Sequence, residues 1–141
     1  MQKYLEEALA WIGTKEIKGA VANDDIVKFH SYTSLKATSD EVAWCSAFVN
    51  FIVAKCGDRG TNSAAARSWL DWGKVLHEPT PGCIVVFDRK DKANPHAAHV
   101  AFFVCQGNSP DTLLVIGGNQ HDCVCTAEYP KSKVLGYRDL K

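Results

Sequence analysis

Residues 98–120 read AHVAFFVCQGNSPDTLLVIGGNQ. Two runs rich in β-branched and aromatic residues, AHVAFFVCQ and TLLVIGG, flank GNSPD, a loop rich in turn formers. The pattern predicts an antiparallel hairpin. If Gln106 pairs with Thr112, His99 faces Asn119 directly on the same side of the sheet. A three-residue loop with the same centre keeps that pairing. A four-residue loop changes the parity and sends the two side chains to opposite faces.

The strand pattern continues outward from this hairpin. CIVVFD follows Pro81-Gly82, and DCVCTAEY and KVLGYRDL come after; DKANP, NQHD and PKSK supply the turns. The front of the chain has a different period. Leu5, Ala8, Leu9 and Ile12 recur at helical spacing before Gly13. Asn23 can cap a short helix carrying Ile26, Val27 and Phe29. In EVAWCSAFVNFI (residues 41–52) and beyond, Cys45, Phe48, Val49, Ile52, Val53 and Cys56 form one apolar stripe that ends at Gly57. Ser63 can cap AAARSWLDW, which stops at Gly73. Helices first and consecutive strands after predict an α+β fold, with N-terminal helices on one face of an antiparallel sheet of about five to six strands. No linker divides the halves, so residues 1–141 are expected to form one domain.

Composition narrows the function classes. Hydrophobic residues make up 46% and charged residues 23%, which excludes a disordered chain. Sixteen basic and sixteen acidic residues balance, so no bulk charge draws the protein to nucleic acid or anionic lipid. No run is long enough for membrane insertion. MQKYLEEALAWIG lacks the continuous apolar core of a signal peptide, which predicts synthesis in the cytoplasm and delivery by another system to any site elsewhere. Six cysteines without an export signal are expected to be free thiols.

Cys45 is the candidate nucleophile. A thiol attacks as thiolate, so it needs a base and preferably a helix N-terminus. If Ser39 or Asp40 caps the helix, Cys45 lies a turn inside and the dipole's help fades. On this segment alone, a buried core thiol is the simpler reading. His99 and Asn119 change the balance, because Cys, His and Asn form the papain-type set. The histidine takes the thiol proton and returns it to the leaving amine; the asparagine amide holds the imidazole. His30, His77, His96 and His121 compete for the base role, and a register slip exchanges His121 for Asn119. His121, Cys123 and Cys125 alternate along one strand face and, with His96 or His99, are a candidate zinc set. Usual structural zinc spacing is absent, and small thiols filling a sheet face are the simpler account.

At these residues the chain resembles the papain-like peptidoglycan hydrolases of the NlpC and CHAP groups. WCSAFVNFI resembles their nucleophile helix, PGCIVVF the strand after a Pro-Gly-Asp turn, AHVAFFV the histidine strand, and VIGGNQ the strand of the third residue. IGTKEIKG is similar to the start of small members found in phage lysis and toxin genes. The sequence departs from the pattern at Gly117, where many CHAP members carry Glu, at Trp44, where NlpC enzymes carry Asp, and at Cys83, where Asp is usual. The resemblance implies Cys45 as nucleophile, His99 as base and acid, Asn119 as orienter, and a thioester intermediate, with no metal or cofactor. It implies Glu16 near a substrate amine and Trp44 in the cleft wall. It implies a monomer acting on amide bonds of bacterial peptidoglycan, as an endolysin or a toxin, the latter with an immunity protein as partner. The rivals are an inactive wall-binding module of the same fold and a zinc-stabilised Cys/His protein.

Overall fold

The structure is a computed structural model and describes residues 2–14, 26, 28–29, 31–32, 44–89, 97–120 and 123–140, without the side chains of Gln2 and Asn119. The predicted α+β class is what it shows. Among the described residues, helices α1 (Gln2–Leu9) and α2 (Cys45–Lys55) and a 3-10 helix (Ala66–Asp71) precede most of the sheet. Its strands are β1 (Lys74–Leu76), β2 (Ile84–Asp88), β3 (Ala98–Gln106), β4 (Thr112–Gln120), β5 (Cys123–Pro130) and β6 (Val134–Asp139). The six strands run antiparallel in the order β1-β6-β2-β3-β4-β5.

The sheet is strongly curled. β5 and β6 are joined by only three residues, Lys131–Lys133, yet three strands separate them in the sheet order. Phe87 of β2 and Tyr129 of β5 stack with ring centroids 4.8 Å apart. Flat strands that far apart in the order would lie about 14 Å from each other. The curl encloses one core, of Cys83, Val85, Phe87, Ala101, Phe103, Leu113 and Val115. A second core lies on the opposite face, where Val86, Val100, Phe102 and Ile116 meet the helices.

Helix α2 is the centre of that second core. All its residues from Cys45 to Val53 are buried, so it is apolar nearly all round rather than striped. It ends in a Schellman motif: Gly57 at φ 86° donates to the Ala54 carbonyl (3.0 Å) and Asp58 to that of Val53 (3.1 Å). Tyr4 and Ala8 of α1 are buried with it, and the Tyr4 hydroxyl donates to Asp58 Oδ2 at 2.7 Å. Leu9 and Ile12, expected on the buried stripe, are 47% and 48% exposed; Leu9 is the last residue of the helix and Ile12 lies beyond it. AAARSWLDW forms a 3-10 helix starting at Ala66 instead of a helix capped by Ser63; the Ser63 hydroxyl accepts from the Ala65 N–H just outside it.

Two bulges set the register around the hairpin. At the loop, Gln106 pairs with Leu113 and not with Thr112 as expected. The Glu128 carboxylate takes the Asn108 N–H (2.8 Å), the Asn108 amide (2.7 Å) and the Thr112 hydroxyl (2.8 Å), which holds the wider loop. One extra residue in β3, Val104, then restores the expected register at Phe103–Val115 and Phe102–Ile116. The second bulge lies in β4. Gly117 pairs with Cys125 and Gln120 with Cys123, so Gly118 and Asn119 stand opposite Val124 alone. The Val124 N–H and C=O turn away to pair with Thr14 and Gly13 (2.8 and 3.0 Å), which covers part of the sheet's edge.

α2 and β4 touch at Gly118. A Cβ there would stand 2.6 Å from Trp44 Cε3 and 2.7 Å from Phe48 Cβ, both in rigid, fully buried side chains. Gly118→Ala is therefore expected to destabilise the fold by about 1–3 kcal/mol through overpacking. Urea denaturation would read this as a lower midpoint, and an unchanged midpoint would contradict the close approach.

Candidate active site

Cys45 is the first residue of α2. Trp44 takes the N-cap position, and among the described residues no side chain caps the helix. The alternative with Cys45 a turn inside the helix is thereby resolved: the first free N–H groups of the helix surround the thiol. The Cys45 side chain is buried, with 6% of the residue exposed. Burial pushes its thiol up; the N–H groups of Val100, Ser46 and Cys45 itself, and the charge of Arg89, pull the other way.

The Val100 contact follows from the strand pattern. Phe103 directs its N–H and C=O to Cys83 and Gly82 on the β2 side (both 2.8 Å), so by alternation Val100 directs its own toward β4. Pairing of β3 with β4 extends among the described residues only to Phe102–Ile116. Beyond it the N-terminus of α2 brings Cys45 to the Val100 N–H.

His99 precedes Val100 and points to the other face, where it packs against the stacked pair of Phe87 (6.4 Å) and Tyr129 (5.2 Å). Its Nε2 is 2.9 Å from Gln120 Oε1. Gln120 was not singled out from the sequence. The β4 bulge explains its place: without it Gly117 and Asn119 would share a face, and with it Gly117 and Gln120 do. The side chain of Asn119 lies outside the described residues, and the described pairing of β3 with β4 stops at Phe102–Ile116.

Gln120 also assigns the tautomer. Its Nε2 donates to the Cys125 carbonyl at 2.6 Å, which fixes Oε1 as the atom facing His99. An oxygen accepts, so His99 Nε2 carries the hydrogen and Nδ1 keeps its lone pair. His99 and Gln120 are both almost fully buried, at 3% and 2% exposure. Burial lowers the His99 pKa from 6.5 to about 4; the hydrogen bond to Gln120 opposes this, and Arg89 adds to it. The resting site therefore holds a neutral imidazole and, with the Cys45 thiol pushed up, a neutral thiol.

Trp44 is fully buried and packs on Phe29 with centroids 5.9 Å apart, so it supports the site from within the core. Glu16, His30, His96 and His121 lie outside the described residues. His77 is exposed and borders a separate cavity with Phe103 and Tyr137. A cavity of about 550 Å³ lies against Asn50, Ala54 and Asp58 toward the far end of α2, and none of the candidate residues lines it. All six cysteines are free thiols. Cys123 and Cys125 both direct Sγ at the Gln120 carbonyl (3.1 and 3.0 Å). Among the described residues, no three His, Cys, Asp or Glu side chains gather as a metal site. No described helix is long and apolar enough to cross a membrane.

Comparison with known proteins agrees with this architecture. A family model described as the CHAP domain matches residues 37–119, a span containing Cys45 and His99 and ending one residue before Gln120. A solved Staphylococcus aureus protein, described as similar to a lipoprotein of the NLP/P60 family, superposes with a TM-score of 0.57 at 17% identity. The match covers 99% of this chain and 41% of that one, so the chain spans less than half of that protein's length. No curated protein matches the sequence.

The buried neutral imidazole makes stability depend on pH. The folded pKa of His99 lies below its ordinary value, so the unfolded chain binds the extra proton between pH 6.5 and about 4. Stability from this group is whole above pH 6.5, falls as pH drops through that window, and loses up to about 3 kcal/mol by its lower end. Denaturation series at pH 7 and pH 4.5 on the wild type and His99→Phe would show this as a flatter pH dependence in the variant. Equal slopes would refute it.

Proposed function

The chain belongs to the CHAP domain family, a family of peptidoglycan-hydrolase type, and we propose that it is a cysteine hydrolase cutting an amide bond of bacterial peptidoglycan. The bond lies in the stem peptide or at the sugar–peptide linkage, and the setting is phage lysis or antibacterial attack on the wall. The observation that carries this reading is the relay from His99 Nε2 to Gln120 Oε1, anchored by Gln120 Nε2 on the Cys125 carbonyl, next to a helix that begins at Cys45.

Cys45 is the nucleophile and His99 Nδ1 the base. Because both groups rest neutral, the proton moves from Sγ to Nδ1 as the substrate carbonyl is attacked. Sγ bonds to the carbonyl carbon, and the oxyanion is held by the Cys45 N–H at the helix start. When the tetrahedral adduct collapses, the C–N bond breaks and His99 gives its proton to the leaving amine. The remaining thioester is attacked by water, with His99 taking the water proton and returning it to Sγ. Through these steps Gln120 keeps Nε2–H directed at its oxygen and Nδ1 at the reaction. Asn119, the orienter by family resemblance, remains a second candidate for supporting the imidazole.

The test is release of soluble fragments from purified cell walls, with mass spectrometry to identify the bond. Cys45→Ala should abolish release, and His99→Ala should lower turnover by about a hundredfold or more. Gln120→Ala should be intermediate, with the loss in kcat and little change in KM. Gln120→Glu puts an anion beside His99, so the acid limb of its pH–rate profile should move to higher pH. Full activity in Cys45→Ala would overturn the mechanism. An active Gln120→Ala beside a crippled Asn119→Ala would return the orienting role to Asn119.

A further inference from the structure

A cavity of about 100 Å³ opens beside His99, lined by that residue and by Phe87, Asp88, Arg89, Tyr129 and Lys133. Its two cations come from distant parts of the chain. Arg89 follows β2, and Lys133 ends the short 3-10 helix between β5 and β6. The curl of the sheet brings them together. Among the described residues neither forms a salt bridge, whereas the Asp88 carboxylate lies 3.7 Å from Arg67. The rim is therefore net positive over an aromatic floor of Phe87 and Tyr129.

We propose that Arg89 and Lys133 form a carboxylate subsite beside His99, so that the preferred substrate carries a free carboxylate next to the scissile amide. The proposal rests on the hydrolase reading above and names what its substrate must contain. The planar guanidinium matches a carboxylate in a two-point contact, and a cavity this small takes such a group without a larger one.

Arg89 couples this subsite to the chemistry. Its charge reaches Cys45, His99 and Tyr129, favouring the thiolate and opposing protonation of the imidazole. A bound carboxylate neutralises Arg89 and removes its opposition to the proton on His99. Nδ1 then becomes a stronger base once the correct substrate is in place. The acid limb of kcat should accordingly lie at higher pH for a carboxylate substrate than for its amide.

The experiment uses synthetic N-acetylmuramoyl stem peptides, which contain both the stem amides and the sugar–peptide linkage, in pairs that differ only by free acid or carboxamide beside each amide bond. Wild type should favour one free-acid partner by about tenfold or more in kcat/KM. Arg89→Gln should collapse that ratio, Arg89→Glu should invert it, and Lys133→Gln should reduce it. Arg89 is exposed, so unchanged melting temperatures are expected and serve as the folding control. Equal wild-type rates on acid and amide, or an undiminished preference in Arg89→Gln, would overturn the subsite while leaving the hydrolase intact. Cleavage of neither partner of any pair would overturn both together.

Discussion

Helix α2 can reach β4 only because residue 118 has no Cβ. Trp44 and Phe48 occupy the space where one would stand. That contact holds the first turn of α2 against the sheet and leaves Cys45 beside the Val100 N–H. It occurs within the β4 bulge, where two residues stand opposite Val124. The bulge also turns Gln120 onto the face of His99. One close approach thus locates both the candidate nucleophile and the partner of its candidate base.

Burial works against ionisation on both sides of the site. It lowers the imidazole of His99 and raises the thiol of Cys45. The helix start, the Val100 N–H and Arg89 offset part of this at Cys45, and Gln120 offsets part of it at His99, where Arg89 acts in the same direction as burial. Such a site holds its charges back until a substrate is present, a way of linking reactivity to binding. Gln120 is held at both ends of its amide, which leaves one tautomer for the ring it contacts.

The curled sheet separates two tasks. Its outer face packs the helices, with Phe48, Phe51 and Trp44 filling the space around Phe29. Its inner face closes on the stacked rings of Phe87 and Tyr129, against which His99 packs. β2, β3 and β5 therefore meet at one mouth although the sheet order sets β5 well away from β2. That is also why Arg89 and Lys133, 44 positions apart in the sequence, border the same cavity.

Much of the fold was legible in the sequence because its signals are local. Pleating alternates side chains, and turn residues bound the runs, so CIVVFD, AHVAFFVCQ, TLLVIGG, DCVCTAEY and KVLGYRDL could be read as strands. An apolar run ending at Gly57 announced α2, and the predicted hairpin pairing together with the family resemblance picked out Cys45 and His99 among six cysteines and five histidines. β1 was missed because three residues carry no period, and AAARSWLDW looked like an ordinary helix although it winds as 3-10. Only the tertiary structure decided the two bulges. Val104 is extruded to reconcile a loop held by Glu128 with a register set by the core. Gly118 and Asn119 are doubled against Val124 where α2 presses on one side and Thr14 draws Val124 away on the other. A bulge shifts alternation by one residue, and the forces that place it come from elements distant in sequence. The sequence could therefore nominate a candidate thiol and a candidate imidazole, but not the amide that meets the imidazole.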